Sequence, residues 1–200
     1  MIIATFTLFV IFPFSKIFSQ EEKKWGARFE AGYSYEFTKK GDPTGGLQFY
    51  ATPTYTVSDK ANIGIGAGLK LFSGSGEKEI ITGFPVYGTL SYKLSAEKTT
   101  PFFEGKIGYA FIHKNYSTQA TRLYPEYSGP VDIHSKRRGG IFISPSAGML
   151  FSIKGKQRLS ISLAYILDQQ NISQYAVQVN KNEKATWTHH LAAVRIGYSF

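Results

Sequence analysis

The chain has 200 residues, which is enough for one domain, or for one domain and a targeting segment. It contains no cysteine, and this excludes a disulfide framework, thiolate metal sites and a cysteine-linked lipid anchor. The formal net charge of +9 predicts attraction to anions, with nucleic acid and anionic membrane surfaces as candidate partners.

The composition favours strands over helices, because 20 residues are glycine and 16% are aromatic. The mean hydropathy of −0.17 is that of a soluble protein. It does not exclude a membrane-spanning barrel, because lipid-facing and interior residues alternate along each strand of such a barrel and cancel in the average.

Residues 1–19 form a strongly apolar run, MIIATFTLFVIFPFSKIFS, which is interrupted at Pro13 and Lys16. Small Ser19 precedes Gln20, so we expect a secretory signal peptide over 1–20 and a barrel domain over 21–200. An uncleaved membrane anchor is the alternative, but the run is barely long enough to span a bilayer and proline breaks it.

The segment from Trp25 to Thr38 has the most regular alternation in the chain. Its odd positions are all apolar or aromatic, and its even positions are small, polar or charged. Successive side chains of a strand point to opposite faces, whereas a helix would scatter both sets around its circumference. The segment is therefore predicted to be a strand with one apolar face and one polar face.

Seven more segments repeat this alternation, and each has the ~9–11 residues that a tilted transmembrane strand needs. They are 47–57, 63–71, 84–94, 103–111, 141–153, 159–168 and 187–200. The connections after the second, fourth and sixth strands are short, and the others are generally longer. The longest, 114–139, is predicted to be irregular, and a polar loop with a strand extension is expected before residue 187. This order is typical of a barrel with both chain ends in the periplasm and longer loops outside.

Three prolines, Pro53, Pro85 and Pro145, fall inside predicted strands. Proline donates no ladder hydrogen bond, and a closed barrel has no edge on which this loss is harmless. We therefore expect bulges or strand ends at all three positions.

Together these patterns predict an all-β fold: an eight-stranded antiparallel up-and-down transmembrane β-barrel, preceded by a signal peptide. The apolar face of each strand would contact lipid, and the charged face would line the interior. A soluble lipocalin-like barrel is the alternative outside the membrane, but it would require apolar residues inside, where this sequence places charges.

Three runs, GFPVYGTLSYKL (83–94), PFFEGKIGYAF (101–111) and RIGYSF (195–200), resemble the small outer-membrane β-barrel family of Gram-negative bacteria, the OmpA- and OmpX-like proteins. The resemblance spans residues 25–200 and implies location in the outer membrane after export. Family members end in an aromatic residue that the barrel-assembly machinery recognises, so Tyr198 and Phe200 are the implied assembly signal. That machinery and periplasmic chaperones are the implied partners during biogenesis. The larger members add a peptidoglycan-binding domain, which we do not expect here.

The inward positions carry charges that must pair, because the interior of an eight-stranded barrel is only just wide enough to be filled by side chains. We expect a salt-bridge network that plugs the lumen, formed by Arg28, Glu30, Glu104, Lys106, Arg158 and Arg195. A solvated lumen and a small porin-like channel are the alternatives.

Two other motifs invite a chemical interpretation. Gly64, Gly66 and Gly68 mimic a phosphate-binding loop, but no helix follows them, and inward glycines in a strand make room for larger side chains opposite. Asp168 and His189 are expected to face inward on neighbouring strands. Some outer-membrane enzymes acting on lipid A or peptides use such pairs, but no serine partner is evident here. We therefore expect no catalytic residue, no metal site and no cofactor.

The connection 114–139 combines basic residues with tyrosines. Behind a signal peptide, such a loop suits anionic lipopolysaccharide or a surface ligand better than nucleic acid, and a merely soluble loop is the default interpretation. The candidate ligand-contacting residues are Arg122, Lys136, Arg137 and Arg138.

The sequence thus predicts a monomeric integral outer-membrane barrel that is not an enzyme and does not bind nucleic acid. Its expected role is structural, adhesive or surface-interacting, in contact with outer-membrane lipid and lipopolysaccharide. A porin-like transport channel and an outer-membrane enzyme are the alternatives.

Overall fold

The computed structural model of the protein describes residues 24–36, 45–73, 80–120, 131–153, 155, 157–177 and 180–200. The predicted signal peptide lies outside these ranges. The described residues form eight strands: β1 (Trp25–Glu36), β2 (Gly45–Thr56), β3 (Ala61–Ser73), β4 (Ile80–Lys93), β5 (Thr99–Ala120), β6 (Val131–Ser152), β7 (Arg158–Ala176) and β8 (Lys181–Ser199).

Each strand pairs antiparallel with its neighbours along the chain, and β8 pairs with β1, so the sheet closes into a barrel. The β1–β8 seam runs from Glu36 opposite Leu191 to Arg28 opposite Ser199. The predicted eight-stranded up-and-down barrel, closed by its last strand, is confirmed. No helix in the described part of the chain is long and apolar enough to cross a membrane. The connections from β2 to β3, from β4 to β5 and from β6 to β7 share one end of the barrel, which we call the short-turn end, and the opposite end is the extended end.

The two faces of the barrel wall are chemically opposite. The outer face carries large apolar side chains that are mostly exposed, such as Ile65 (74%), Leu163 (69%) and Ile107 (63%). The inner face buries charged side chains, and Lys106 and Arg195 are each 1% exposed. Leaving one large apolar side chain in water forgoes about 1.5–3 kcal/mol, and a closed sheet satisfies its own backbone groups. The wall is therefore built to contact lipid, as the alternation predicts.

Strands β5 to β8 continue beyond the level at which β1 to β4 end. The β5–β6 ladder reaches Ala120 opposite Val131, and the β7–β8 ladder reaches Ala176 opposite Lys181. The expectation that 114–139 is irregular is wrong, because these residues are paired strand up to Ala120 and again from Val131. The strand extension expected before residue 187 is confirmed. The sheet extension, as we call it, comprises 113–120, 131–138, 169–176 and 181–188.

Two β-bulges at one level explain why the alternation pattern did not reveal the part of β6 that lies in the sheet extension. The β5–β6 register shifts between Ala110 and His113, and the β6–β7 register shifts between Arg138 and Phe142. Even-numbered residues of β6 face inward from Phe142 toward the short-turn end, whereas odd-numbered residues are buried above the bulge. A bulge inserts one residue and so reverses the parity of the strand that follows it.

The three prolines inside strands do not break the register. Pro53, Pro85 and Pro145 are each paired with a residue on one neighbouring strand. On the other side of each proline, pairing lapses briefly and then resumes in the same register. The expectation of bulges or strand ends at these positions is wrong. A residue in an antiparallel strand bonds to only one neighbour, so proline removes a bond from one ladder and leaves the other intact.

The inward glycines of β3 make room for two tyrosines, as predicted. A Cβ atom on Gly66 would lie 2.6 Å from the hydroxyl end of Tyr87, and one on Gly68 would contact the ring of Tyr50. Both tyrosines are almost fully buried, at 2% and 3% exposure. The glycines therefore define the space in which the aromatic rings sit.

We predict that Gly66→Ala destabilises the barrel by about 1–3 kcal/mol, because the new methyl group must displace a buried tyrosine from a packed interior. The control is Gly105→Ala on the outer face of β5, where no heavy atom lies within 4 Å of the added Cβ. Denaturant unfolding in detergent, followed by heat-modifiable gel migration, measures both. Equal stability of the two variants would contradict the packing role of Gly66.

Candidate functional site

Ion pairs join β1 to β5, which lie on opposite walls of an eight-stranded barrel. Arg28 Nη1 pairs with Glu104 Oε2, and Lys106 Nζ pairs with Glu104 Oε1 and, at 2.8 Å, with Glu30 Oε2. None of the four side chains is more than 8% exposed. We call this cluster the β1–β5 brace. It brings together four of the six residues predicted for the lumen network.

A second ion pair joins β3 to β7, which are also opposite walls. Lys70 Nζ pairs with Asp168 Oδ2, and each side chain is 4% exposed. The same ammonium lies 5.2 Å from the centroid of the Phe142 ring, within cation–π range. We call this pair the β3–β7 brace. Neither charge was predicted for the network, because alternation gives the face of a side chain and not its partner across the lumen.

An aromatic layer fills the interior between the two braces. The rings of Tyr50, Tyr87 and Phe142 lie with their centroids 5.6, 6.0 and 6.3 Å apart in edge, tilted and stacked arrangements. The Tyr87 hydroxyl is within hydrogen-bonding distance of Thr52 Oγ1, at 2.8 Å. Small and aliphatic residues complete this layer: Ala110, Ala164, Ile166, Leu191 and Ala193. These residues carry no charge, and so the charge-based prediction missed them.

Arg195 lies in the aromatic layer rather than in a salt bridge. Its guanidinium carbon is 4.9 Å from the Tyr50 ring centroid. Nη2 donates to Ser144 Oγ at 2.7 Å and to Gln48 Oε1 at 3.4 Å. No carboxylate of the described residues lies within ion-pair distance of it. The cation is therefore held by a ring face and neutral acceptors on two other strands, β2 and β6.

Arg158 lies apart from the braces, at the first position of β7. It lines a basin of about 400 Å³ at the short-turn end, together with Lys93 and Asp59. The structure gives it no ion pair with any described residue, so it is not a member of the salt-bridge network predicted for it.

His189 is directly opposite Asp168 in the β7–β8 register, on the neighbouring strands expected for the pair. The histidine nevertheless contacts a different acid, since its Nδ1 lies 2.5 Å from Glu36 Oε1. Asp168 is engaged by Lys70 instead. Within the described ranges, no group of three or more His, Cys, Asp or Glu side chains is arranged to hold a metal ion.

The basic residues expected on a loop lie largely on strand β6. Lys136 and Arg138 project outward, whereas Arg137 is 5% exposed and its guanidinium lies 5.8 Å from the Trp187 ring centroid. Their placement on a loop is wrong, because the bulge hides the strand that carries them. Arg122 lies outside the described residues.

The last residues of β8 complete the seam at the short-turn end. Phe200 and Ala27 exchange two backbone hydrogen bonds of 3.1 Å. The Phe200 ring stacks on Phe29 at 6.2 Å between centroids, and it lies 6.1 Å from the Tyr198 ring. Half of Phe200 remains exposed on the apolar outer face. The implied assembly signal is thus accessible at the edge of the wall.

Comparison with known proteins supports the fold. No protein-family model matches the sequence, and no curated protein matches it. The structure is similar to that of Neisserial surface protein A, at 8% identity and a TM-score of 0.59, over 90% of this chain and 98% of that one. It is also similar to the outer membrane protein OprG from Pseudomonas aeruginosa, at 12% identity and a TM-score of 0.56, over 88% of this chain and 96% of that one. The chain therefore has the fold of the small outer-membrane β-barrels that its sequence resembles.

We predict that Glu104→Gln destabilises the barrel by about 3–5 kcal/mol, because it leaves Arg28 and Lys106 buried without the carboxylate they share. The matched control is Glu183→Gln, which makes the same chemical change in an exposed pair with Lys181 at 3.9 Å. That change should cost less than about 1 kcal/mol. Denaturant titration of both variants in the same detergent compares them. Similar losses of unfolding free energy in the two variants would contradict a larger stabilising contribution from the buried brace.

Proposed function

We propose that the protein is an integral outer-membrane barrel with a structural and surface-interaction role, whose lumen is closed by side chains and whose outer wall binds lipopolysaccharide. The closed barrel with an apolar outer belt is the architecture that spans bacterial outer membranes. Barrels of this kind have their short turns in the periplasm, so we place the short-turn end there and the sheet extension outside the cell. No catalytic role is assigned to the Glu36–His189 pair.

The observation that carries the closed lumen is the pair of braces. They run along two diameters about a quarter turn apart, β1–β5 and β3–β7, and the aromatic layer fills the space between them. Opening a path would require separating buried ion pairs without replacement partners, at several kcal/mol for each ion. A plug of this kind supports a structural role over a transport channel.

We predict that the purified protein forms no large, stable conductance in planar lipid bilayers, because the packed interior leaves no continuous aqueous path. A general porin reconstituted in the same membrane serves as the positive control. Stable openings of the size seen with the porin would contradict the closed lumen and favour the channel alternative.

The lipopolysaccharide proposal rests on a basic cleft on the outer wall of the sheet extension. The cleft has a volume of about 400 Å³ and includes Lys136, Arg138 and Lys184. In the register, Lys136 is opposite Ser173, which is opposite Lys184, so two ammonium groups flank one hydroxyl on the same face. Cations and hydroxyls in this arrangement suit phosphate groups.

An apolar groove adjoins the basic cleft. It has a volume of about 770 Å³, lies over β4 and β5, and is lined by Ile80, Phe84, Tyr109 and Phe111. Arg138 borders both the groove and the cleft. An amphiphile with acyl chains below and phosphates above matches this order, and lipopolysaccharide has that chemistry. Lys184 was not among the predicted ligand residues, because its place beside Lys136 depends on the register of β7.

We predict that the double variant Lys136→Gln/Lys184→Gln loses about tenfold or more in affinity for lipopolysaccharide, since two charge-assisted contacts to phosphate disappear. The control is Lys60→Gln/Lys98→Gln, which removes the same charge from the short-turn end. Binding of purified lipopolysaccharide to the refolded protein at two salt concentrations measures both. Equal losses in the two variants would point to net charge rather than to the cleft.

A further inference from the structure

The basin at the short-turn end has an unusual charge balance. It is lined by three cations, Arg28, Lys93 and Arg158, and by one acid, Asp59. Arg28 is engaged by Glu104 in the β1–β5 brace. Among the described residues, neither Lys93 nor Arg158 has an ion-pair partner. Two cations therefore face one basin whose described lining contains a single acidic side chain.

Lys93 is the more buried of the two cations. Its side chain belongs to the last residue of β4, and the residue is 7% exposed. Arg158 and Asp59 are the charged groups that act on it electrostatically. An ammonium with a like charge nearby is unfavourable unless an anion offsets it.

The strand register places a further donor between the arginines. Ser199 of β8 is opposite Arg28 on one side and opposite Arg158 on the other. The remaining polar lining consists of hydroxyls and one amide: Thr54, Thr56, Asn62 and Ser91. Asn62 Oδ1 accepts a hydrogen bond of 2.9 Å from Thr56 Oγ1, which fixes the orientation of the amide. Cations, hydroxyls and an amide NH₂ are the donors that phosphate oxygens accept from.

We propose that this basin is a binding site for a small phosphate-bearing solute, such as inorganic phosphate or a phosphorylated polyol, held by Lys93 and Arg158. A basin of about 400 Å³ accommodates a phosphate group and a few carbon atoms. The β1–β5 brace forms its floor, because Arg28 belongs to both, so the solute enters from the short-turn end and goes no further. The site is separate from the basic cleft, which lies at the other end of the barrel.

The test is calorimetric titration of the refolded full chain with inorganic phosphate and, separately, with glycerol phosphate, in a phosphate-free buffer. Wild type should bind one phosphate saturably. Lys93→Gln and Arg158→Gln should each weaken binding by about tenfold, the loss of one charge-assisted contact. Lys98→Gln, on a neighbouring turn but outside the basin lining, should leave the affinity unchanged. Heat-modifiable gel migration establishes that each variant is folded.

A gain-of-affinity variant keeps the test independent of any folding defect. Asp59→Asn removes the acid from an exposed turn at the basin wall, and it should tighten phosphate binding several-fold because the repulsion it exerts on the anion disappears. Phosphate should also raise the unfolding midpoint of wild type and of Asp59→Asn but not of Lys93→Gln. Absence of saturable binding by wild type, or equal losses in Lys93→Gln and Lys98→Gln, would overturn the proposal. Tighter binding of glycerol phosphate than of inorganic phosphate would indicate that the hydroxyl groups of the lining contact the polyol part of the solute.

Discussion

The width of an eight-stranded barrel is the constraint on which this structure depends. The interior admits side chains and little else, so a charge that points inward must find its partner among other inward side chains. Two of the pairs found here join residues on opposite sides of the lumen. Arg28 reaches Glu104 from β1 to β5, and Lys70 reaches Asp168 from β3 to β7. Each pair ties together two walls that share no backbone hydrogen bonds.

The aromatic layer makes this arrangement of charges compatible with a packed interior. Tyr50 and Tyr87 occupy space that Gly68 and Gly66 leave open on β3, and their rings lie beside the ammonium of Lys106, at 5.5 and 5.8 Å from it. A ring face offers negative potential without a full charge, which stabilises cations that exceed the number of acids. Lys93 and Arg158, which have no ion-pair partner among the described residues, lie in the basin at the short-turn end, where water and anions reach them.

The inverted polarity of the wall made most of the fold predictable from sequence. Alternation located eight strands and assigned Arg28, Glu30, Glu104 and Lys106 to the interior, because period two is a local property of an extended chain. It failed where a local irregularity changed the period. The bulges near Gly139 reversed the parity of β6, so Lys136 and Arg138 were placed on a loop although they lie on a strand. The prolines caused the opposite error. Bulges or strand ends were expected at them, but each proline perturbs only one of the two ladders of its strand.

The sequence by itself determined the class of fold, the number of strands and the face of the side chains in the regularly alternating segments, because these follow from the alternation of apolar and polar residues along one strand. Only the tertiary structure decided which inward charges meet. Arg195 contacts Tyr50 and Ser144 rather than an acid, and Lys93 and Arg158 share a basin. These contacts depend on register, bulges and closure, which place residues from strands far apart in the chain at one height in the lumen.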